Sequence, residues 1–223
     1  MREQYTLKLE LLSDALIASG EGQGAIIDSD ILYDETGLPY IPGRRLKGCL
    51  REAAREAQIM FNHANMQLDF DIEQTFGKPG TGISDGIIFG GLYPEKYEAN
   101  KAWLTFLQQN KQLFNAEDVL SALSSIRSQI AIESDGAYRG VTRDHSLRTL
   151  RVLHQGFHFE GQLEIPGKDH QTQLNTILLA CQQVEDIGIG AKRQRGLGRV
   201  KCELWHRETN LSQQKLKELF ANV

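Results

Sequence analysis

The sequence predicts an α+β fold: a ferredoxin-like antiparallel sheet with two packed helices, carrying insertions and one long β-hairpin. Three observations predict it. Gln4–Leu12 contains YTLKLELL, whose alternation is that of a strand with one buried face. Gly43–Phe61 and Thr172–Asp186 repeat apolar residues at spacings of three and four, which places those residues on one side of a helix. Strand patterns follow each helix, so the chain reads strand, helix, strand, hairpin, strand, helix, strand, an order that closes into one sheet.

After the first strand, Ala15–Gly24 (ALIASGEGQG) is a short apolar run ending in a glycine-rich loop. The next segment, Ala25–Pro42 (AIIDSDILYDETGLPYIP), is extended: Asp34–Gly37 makes a turn, and Pro39 and Pro42 exclude helix until Pro42 has passed. A helix of about five turns then opens at Gly43, with Leu46, Leu50, Ala53, Ala57 and Phe61 on its inner side. Asn62–Tyr93 reads as irregular, with Thr75–Gly86 rich in glycine and a strand at Gly86–Leu92. Lys96–Asn115 and Ala116–Ser128 carry helical spacing. Ser128–Thr149 has strand-like ends around a polar, glycine-containing middle, the pattern of a hairpin that projects from the body. Leu150–Ile165 reads as strand, Thr172–Asp186 as helix, Val200–Trp205 as the last strand and Leu211–Phe220 as a short terminal helix. No repeat or low-complexity linker divides the chain, so residues 1–223 are read as a single domain, with the hairpin at about 132–149 and the terminal helix at about 211–221.

With 223 residues, 40% of them apolar and 24% charged, the chain has the balance of a globular domain able to bury a core. No apolar run approaches a membrane span, and the opening MREQYTLKLELL is a charged strand rather than a signal sequence, so a cytoplasmic protein without a membrane partner is expected. Cys49, Cys181 and Cys202 stand apart, with no C-x-x-C and no histidine at metal spacing; neither a disulfide framework nor a structural zinc is expected.

A net charge of −4 by itself weighs against nucleic-acid binding, but its distribution weighs for it. Gly43–Arg55, Arg139–His154 and Gly188–Lys201 carry +4, +3 and +5, which leaves −16 on the remainder of the chain. Charge segregated in this way suits a polyanion groove on an otherwise acidic, solubilising surface. The densest cluster lies within Ile187–Lys201, IGIGAKRQRGLGRVK, where Gly188, Gly190, Gly196 and Gly198 frame Lys192, Arg193 and Arg195. Glycine lets backbone come close to a ligand, and exposed N–H groups beside cations supply what a phosphate needs. The loop is not a P-loop, which needs Gly-Lys-Ser/Thr, nor a dinucleotide fingerprint, because Arg199 and Val200 lead into a strand where that motif opens a helix. A second anion site is read at PGRRLKG: Arg44, Arg45 and Lys47 occupy a first turn where acids would complement the helix dipole, with Arg51 one turn further on. Arg139, Arg143 and Arg148 on the hairpin are available to the same ligand.

Four stretches together carry a family resemblance: ALIASGEG after the first strand, GLPYIPGRRLKGCLRE at the first helix, Thr75–Gly77 (TFG) before a strand, and GIGAKRQRGLGRV near the end. The chain resembles the CRISPR-associated RAMP superfamily, and within it the backbone subunit of type III effector complexes. The resemblance implies an RNA-recognition-like fold that polymerises along a guide RNA and uses a thumb-like hairpin, here about Ile132–Thr149, to interrupt the guide:target duplex. It implies guide contacts at Arg44, Arg45, Lys47 and Gly188–Gly198. The implied partners are guide RNA, target RNA, copies of the chain or similar RAMP subunits, and the large signalling and small subunits of the complex. In members of the family that cut target RNA, a loop aspartate acts with a divalent metal, Mg or Mn. By its spacing from GLPYIPG, Asp28 is the position that resembles this aspartate, and the resemblance implies the metal there, with Asp30 second because the loop is one residue shorter than the usual pattern. One carboxylate is a sparse site, so such chemistry would lean on the bent geometry of the RNA itself. The alternatives are a non-catalytic architectural subunit and a repeat-RNA processing endonuclease, which uses a histidine near the first helix; this chain has none before His63.

Overall fold

The computed structural model describes residues 2–18, 27–66, 68–78, 86–111, 113–130, 147–167 and 170–215. In chain order its elements begin with β1 (Arg2–Leu11), α1 (Gly43–His63), α2 (Ile72–Phe76), β2 (Ile88–Phe89), β3 (Tyr93–Pro94) and α3 (Tyr97–Lys111). They continue with α4 (Ala116–Leu123), β4 (Ser124–Gln129), β5 (Arg148–Leu153), β6 (His158–Pro166), α5 (Gln171–Ile187), β7 (Val200–His206) and β8 (Thr209–Asn210).

The main sheet runs β2-β6-β1-β7-β8, with β3 also on β6, and its pairings are antiparallel. The strand that follows α1 therefore lies one strand away from β1, with β6 slotted between them, which is the split βαβ arrangement of a ferredoxin-like fold. Alternation in β1 turns Tyr5, Leu7, Leu9 and Leu11 into the core. Register continues that layer across the sheet, with Leu9 between Phe159 and Cys202, Tyr5 opposite Leu163 and Leu11 opposite Val200. Helices α1 and α5 cover this face and pack on each other. The opposite face is polar: Lys8 lies between Glu160 and Glu203, and its ammonium sits 4.7 Å from the centre of the Trp205 ring.

A separate antiparallel pair, β4 and β5, runs in register from Ser124 opposite Leu153 to Gln129 opposite Arg148. It is bound to the body by bridges from Ala15 to Leu153 and from Ser29 to Leu150. This is the base of the expected hairpin; residues 131–146, including Arg139 and Arg143, lie outside the described residues. Helix α2 forms within the stretch read as irregular, and the strand read over Gly86–Leu92 is limited to Ile88–Phe89. Two further boundaries differ from expectation, each for a visible local reason. The helix expected to reach Ser128 stops at Leu123, because the buried Ser124 hydroxyl bonds the Leu120 carbonyl at 2.5 Å and the chain then pairs with β5. The single strand expected over Leu150–Ile165 is two strands in different sheets, divided at Gly156, whose φ of +83° turns the chain. Residues 211–215 are helical, and the remaining residues over which the terminal helix is expected lie outside the described residues.

Candidate nucleic-acid interface

The glycine loop is closed by its own backbone. The Ile189 N–H donates to the Gly198 carbonyl at 2.8 Å, and a Cβ on Gly198 would overlap the Ile189 carbonyl oxygen. Gly190 sits against the Leu16 carbonyl in the same way, and Ala191 N–H donates to that carbonyl at 2.9 Å. With φ of +76° at Gly198 and +79° at Gly190, both positions require glycine for conformation as well as for space. Gly188 in turn approaches the Gly198 carbonyl. Three of the four glycines expected to admit a ligand are thus used in packing main chain on main chain, and Gly196 is the one with open space beside it.

That closure aims the cations. Arg193 and Arg195 bracket a single 3-10 turn and leave it on two sides. Arg193 donates to Glu52 of α1 at 2.9 Å, a bond that raises the pKa of its guanidinium, while Arg195 donates to Gln129 of β4 at 2.6 Å. Gln129 pairs with Arg148, which donates to Asp28 Oδ1 at 3.0 Å. Arg45, in the first turn of α1, bonds the Ala18 carbonyl beside the loop. The opening of α1, the glycine loop, the hairpin base and the 27–31 segment therefore adjoin, and among the described residues these bonds bring Arg45, Arg193, Arg195 and Arg148 to that junction.

The sequence matches the RAMP superfamily over residues 8–201. The chain belongs to the RAMP superfamily. Among solved structures it is similar in fold to a chain of the type III-B Cmr-beta bound to cognate target RNA, at 15% identity and a TM-score of 0.56, covering 92% of this chain and 61% of that one. It is likewise similar to a chain of the apo type III-B Cmr-beta, at 12% identity and a TM-score of 0.57, covering 92% and 98%. The RAMP chain thus spans about three-fifths of the length of the first of these. No curated protein matches it. Among the described residues no helix is long and apolar enough to cross a membrane.

Of the cations that the sequence singles out in this RAMP domain, Arg44 and Lys192 are exposed and Lys47 is half-buried. Arg51 is engaged internally. Its Nη2 donates to the Gly77 carbonyl at 3.0 Å, tying α1 to the TFG turn, whose Phe76 is buried and stacks on Phe89. Tyr40 stacks on Tyr93 with ring centres 5.8 Å apart.

The two loop aspartates part company. Asp28 is exposed, and its Oδ2 accepts from the Thr149 N–H at 2.7 Å and hydroxyl at 3.2 Å while Oδ1 accepts from Arg148. The Thr149 N–H first, and Arg148 next, hold its carboxyl below the ordinary aspartate range. Asp30, the second catalytic candidate, is 2% exposed: it pairs with Arg151 at 3.1 Å, and Arg151 reaches on to Glu117 at 2.6 Å. Asp30 is an internal anchor between the 27–31 segment and β5, withdrawn from any substrate. Arg151, which contributes to the charge of the hairpin cluster, is withdrawn with it.

Whether Asp28 suits a resident Mg or Mn is answered by its neighbours. A hard divalent cation takes several oxygens. Both Asp28 oxygens are already bonded, one of them to a guanidinium, and among the described residues no group of three or more His, Cys, Asp and Glu gathers to hold a metal. The described residues do not fit a resident divalent ion.

Sequence reasoning missed Asp14. Its backbone carbonyl accepts from the Gly198 N–H at 2.8 Å, Oδ1 accepts from the Gln155 N–H at 2.9 Å, and Oδ2 pairs with Arg127. It holds the glycine loop, the β5–β6 turn and β4 together, and with His154 and Gly196 lines a cleft of about 500 Å³. The Ser13-Asp14 step directly after an alternating strand is a turn signal that could have found it.

Proposed function

We propose that this RAMP domain is an RNA-binding subunit of a type III CRISPR effector complex, and that it grips the ribose-phosphate backbone of a guide RNA across the surface shared by α1, the glycine loop and the hairpin base. The observation that carries this reading is the placement of Arg193 against α1 and Arg195 against β4, which gathers cations scattered in the sequence beside one closed loop. A phosphodiester chain is the ligand that uses a row of fixed guanidiniums without reading bases. Guide and target RNA, further copies of the chain or similar RAMP subunits, and the large and small subunits of the complex are the proposed partners. Native mass spectrometry of the assembly purified with its RNA tests this: the expected result is an RNA of defined length in fixed ratio to this chain. Recovery of the chain free of RNA and of other subunits would contradict it.

The finer part of the proposal is that bound target RNA is cut beside Asp28, and its support is that Asp28 is exposed and accepts from Arg148 at the hairpin base. A non-catalytic architectural role has its own support, since the three hydrogen bonds Asp28 accepts from Arg148 and Thr149 make it a tether for the 27–31 segment. Cleavage by the assembled complex with Mg, Mn or EDTA, comparing wild type with Asp28→Asn, separates the two. Cutting that is lost in Asp28→Asn supports the first, and cutting that persists undiminished supports the second.

A further inference from the structure

The face of the main sheet turned away from α1 and α5 carries a trough of about 850 Å³. Strand register sets its width. Tyr93 on β3 lies opposite Glu160 on β6, Glu160 lies opposite Lys8 on β1, and Thr6, on the same face as Lys8, lies opposite Trp205 on β7. Tyr93 and Trp205 are therefore three strand spacings apart, about 14 Å. Each end of the trough pairs aromatic rings with a cation. At one end Tyr93 and Tyr97 have ring centres 4.5 Å apart, the Tyr97 hydroxyl donates to Asp34 at 2.9 Å, and Lys96 lines the same wall. At the other the Lys8 ammonium lies over the Trp205 indole, whose N–H donates to Glu203 at 3.3 Å, and Arg207 lines the rim. The floor between them is polar, with the Gln162 amide donating to the Thr6 hydroxyl at 3.1 Å.

The fold does not ask for either end cation. Lys96 and Arg207 have φ of +56° and +55°, a left-handed backbone that is strained for a side chain and free for glycine. Arg207 opens the two-residue turn between β7 and β8, a position that hairpins of this kind fill with glycine. Both side chains are exposed, and among the described residues neither pairs with an acid. Of the acids that line the trough, Glu160 faces Lys8 and Glu98 lies in the first turn of α3. An unpaired cation beside a fixed aromatic ring suits a ligand that joins phosphates to flat rings. A mononucleotide would fill one end, whereas the same pair of groups repeated about 14 Å away suits a strand that repeats them too.

We infer that the open face of the sheet is a second RNA site. It holds about two or three unpaired nucleotides of a single strand, with bases against Tyr93 and Trp205 and phosphates at Lys96 and Arg207. Lys8, held between Glu160 and Glu203, props the indole and meets no phosphate. The sheet itself stands between this face and α1, so the site takes a different stretch of RNA from the surface proposed above, and its test does not depend on that surface.

Trp103 and Trp205 are the tryptophans of the chain, so Trp103→Phe leaves Trp205 as a reporter inside the site. The full chain with this substitution is titrated with a single-stranded RNA of about six nucleotides and with AMP, reading indole fluorescence, and is melted thermally. The expected result is saturable quenching by the RNA, with AMP binding about tenfold or more weakly. Adding Lys96→Gly and Arg207→Gly weakens the RNA about tenfold while the thermal midpoint stays level or rises, because glycine relieves the left-handed backbone. Loss of binding without loss of stability is the mark of side chains kept for a ligand. Absence of quenching, while a labelled RNA of about 30 nucleotides still binds by anisotropy, overturns the inference and leaves the RNA reading of the other surface intact. Equal affinity for AMP and the RNA overturns it in favour of a mononucleotide site. Quenching that the two glycine substitutions leave unweakened overturns it as well.

Discussion

Glu52 on α1 accepts a hydrogen bond from Arg193 of the glycine loop at 2.9 Å, joining two basic clusters that lie 141 residues apart in the chain. An acid at the centre of a cationic surface orients its arginine and also opposes a polyanion. Glu52→Gln is expected to strengthen RNA binding several-fold at low salt while changing stability by less than about 1 kcal/mol, the range of a partly exposed ion pair. Binding titrations beside urea unfolding check it, and weaker RNA binding would show that orienting Arg193 outweighs the repulsion.

Gly198 and Gly196 share a positive φ, +76° and +78°, but differ in crowding. Gly196→Ala is expected to cost about 1 kcal/mol, the left-handed penalty alone. Gly198→Ala is expected to cost clearly more, about 3 kcal/mol, because its methyl also meets the Ile189 carbonyl. Equal losses in denaturant unfolding would refute the backbone-on-backbone account of the loop.

The Asp30–Arg151 pair, with both side chains 3% exposed, predicts a large effect of breaking one partner. Asp30→Ala leaves the buried guanidinium of Arg151 with Glu117 as its remaining acid and is expected to destabilise by about 2–3 kcal/mol. Replacing both residues with apolar side chains is expected to cost less than Asp30→Ala alone. A double replacement worse than the single one would contradict a structural role for Asp30.

Asp28 gives a pH dependence. Its folded-state pKa is depressed by the Thr149 N–H and Arg148, so its contribution is present above the unfolded aspartate pKa and lost as pH falls through the lower, folded value. The 27–31 tether should therefore loosen only in acid below the ordinary aspartate range. Amide exchange at Asp28 and Thr149, which bond each other's backbone, reports it, and Asp28→Asn should abolish the acid step.

Much of the fold is legible in the sequence because two periodicities are strong. The alternation from Tyr5 to Leu11 specifies β1, and Pro42 followed by the Leu46–Ala57 stripe fixes where α1 starts and which side it buries. The α4–β4 boundary is not legible, since Val119, Leu120 and Leu123 keep helical spacing to the last turn and the pairing of Ser124 with Leu153 ends it. The site divides along the same line. Charge clusters can be counted in a sequence, but the internal partners that remove Arg51 and Arg151 from the surface come from Gly77, Asp30 and Glu117, far away in the chain. Likewise, spacing alone cannot separate Asp28 from Asp30; burial does.

The account rests on scattered arginines forming one phosphate-binding surface, and the salt dependence of RNA affinity measures that directly. Each of Arg44→Gln, Arg193→Gln and Arg195→Gln is expected to lower the slope of log affinity against log salt by about 0.7, one counterion's share for a single strand, whereas Lys8→Gln on the far face of the sheet leaves it unchanged. Slopes unchanged in all three arginine variants, or an equal drop in Lys8→Gln, would contradict it.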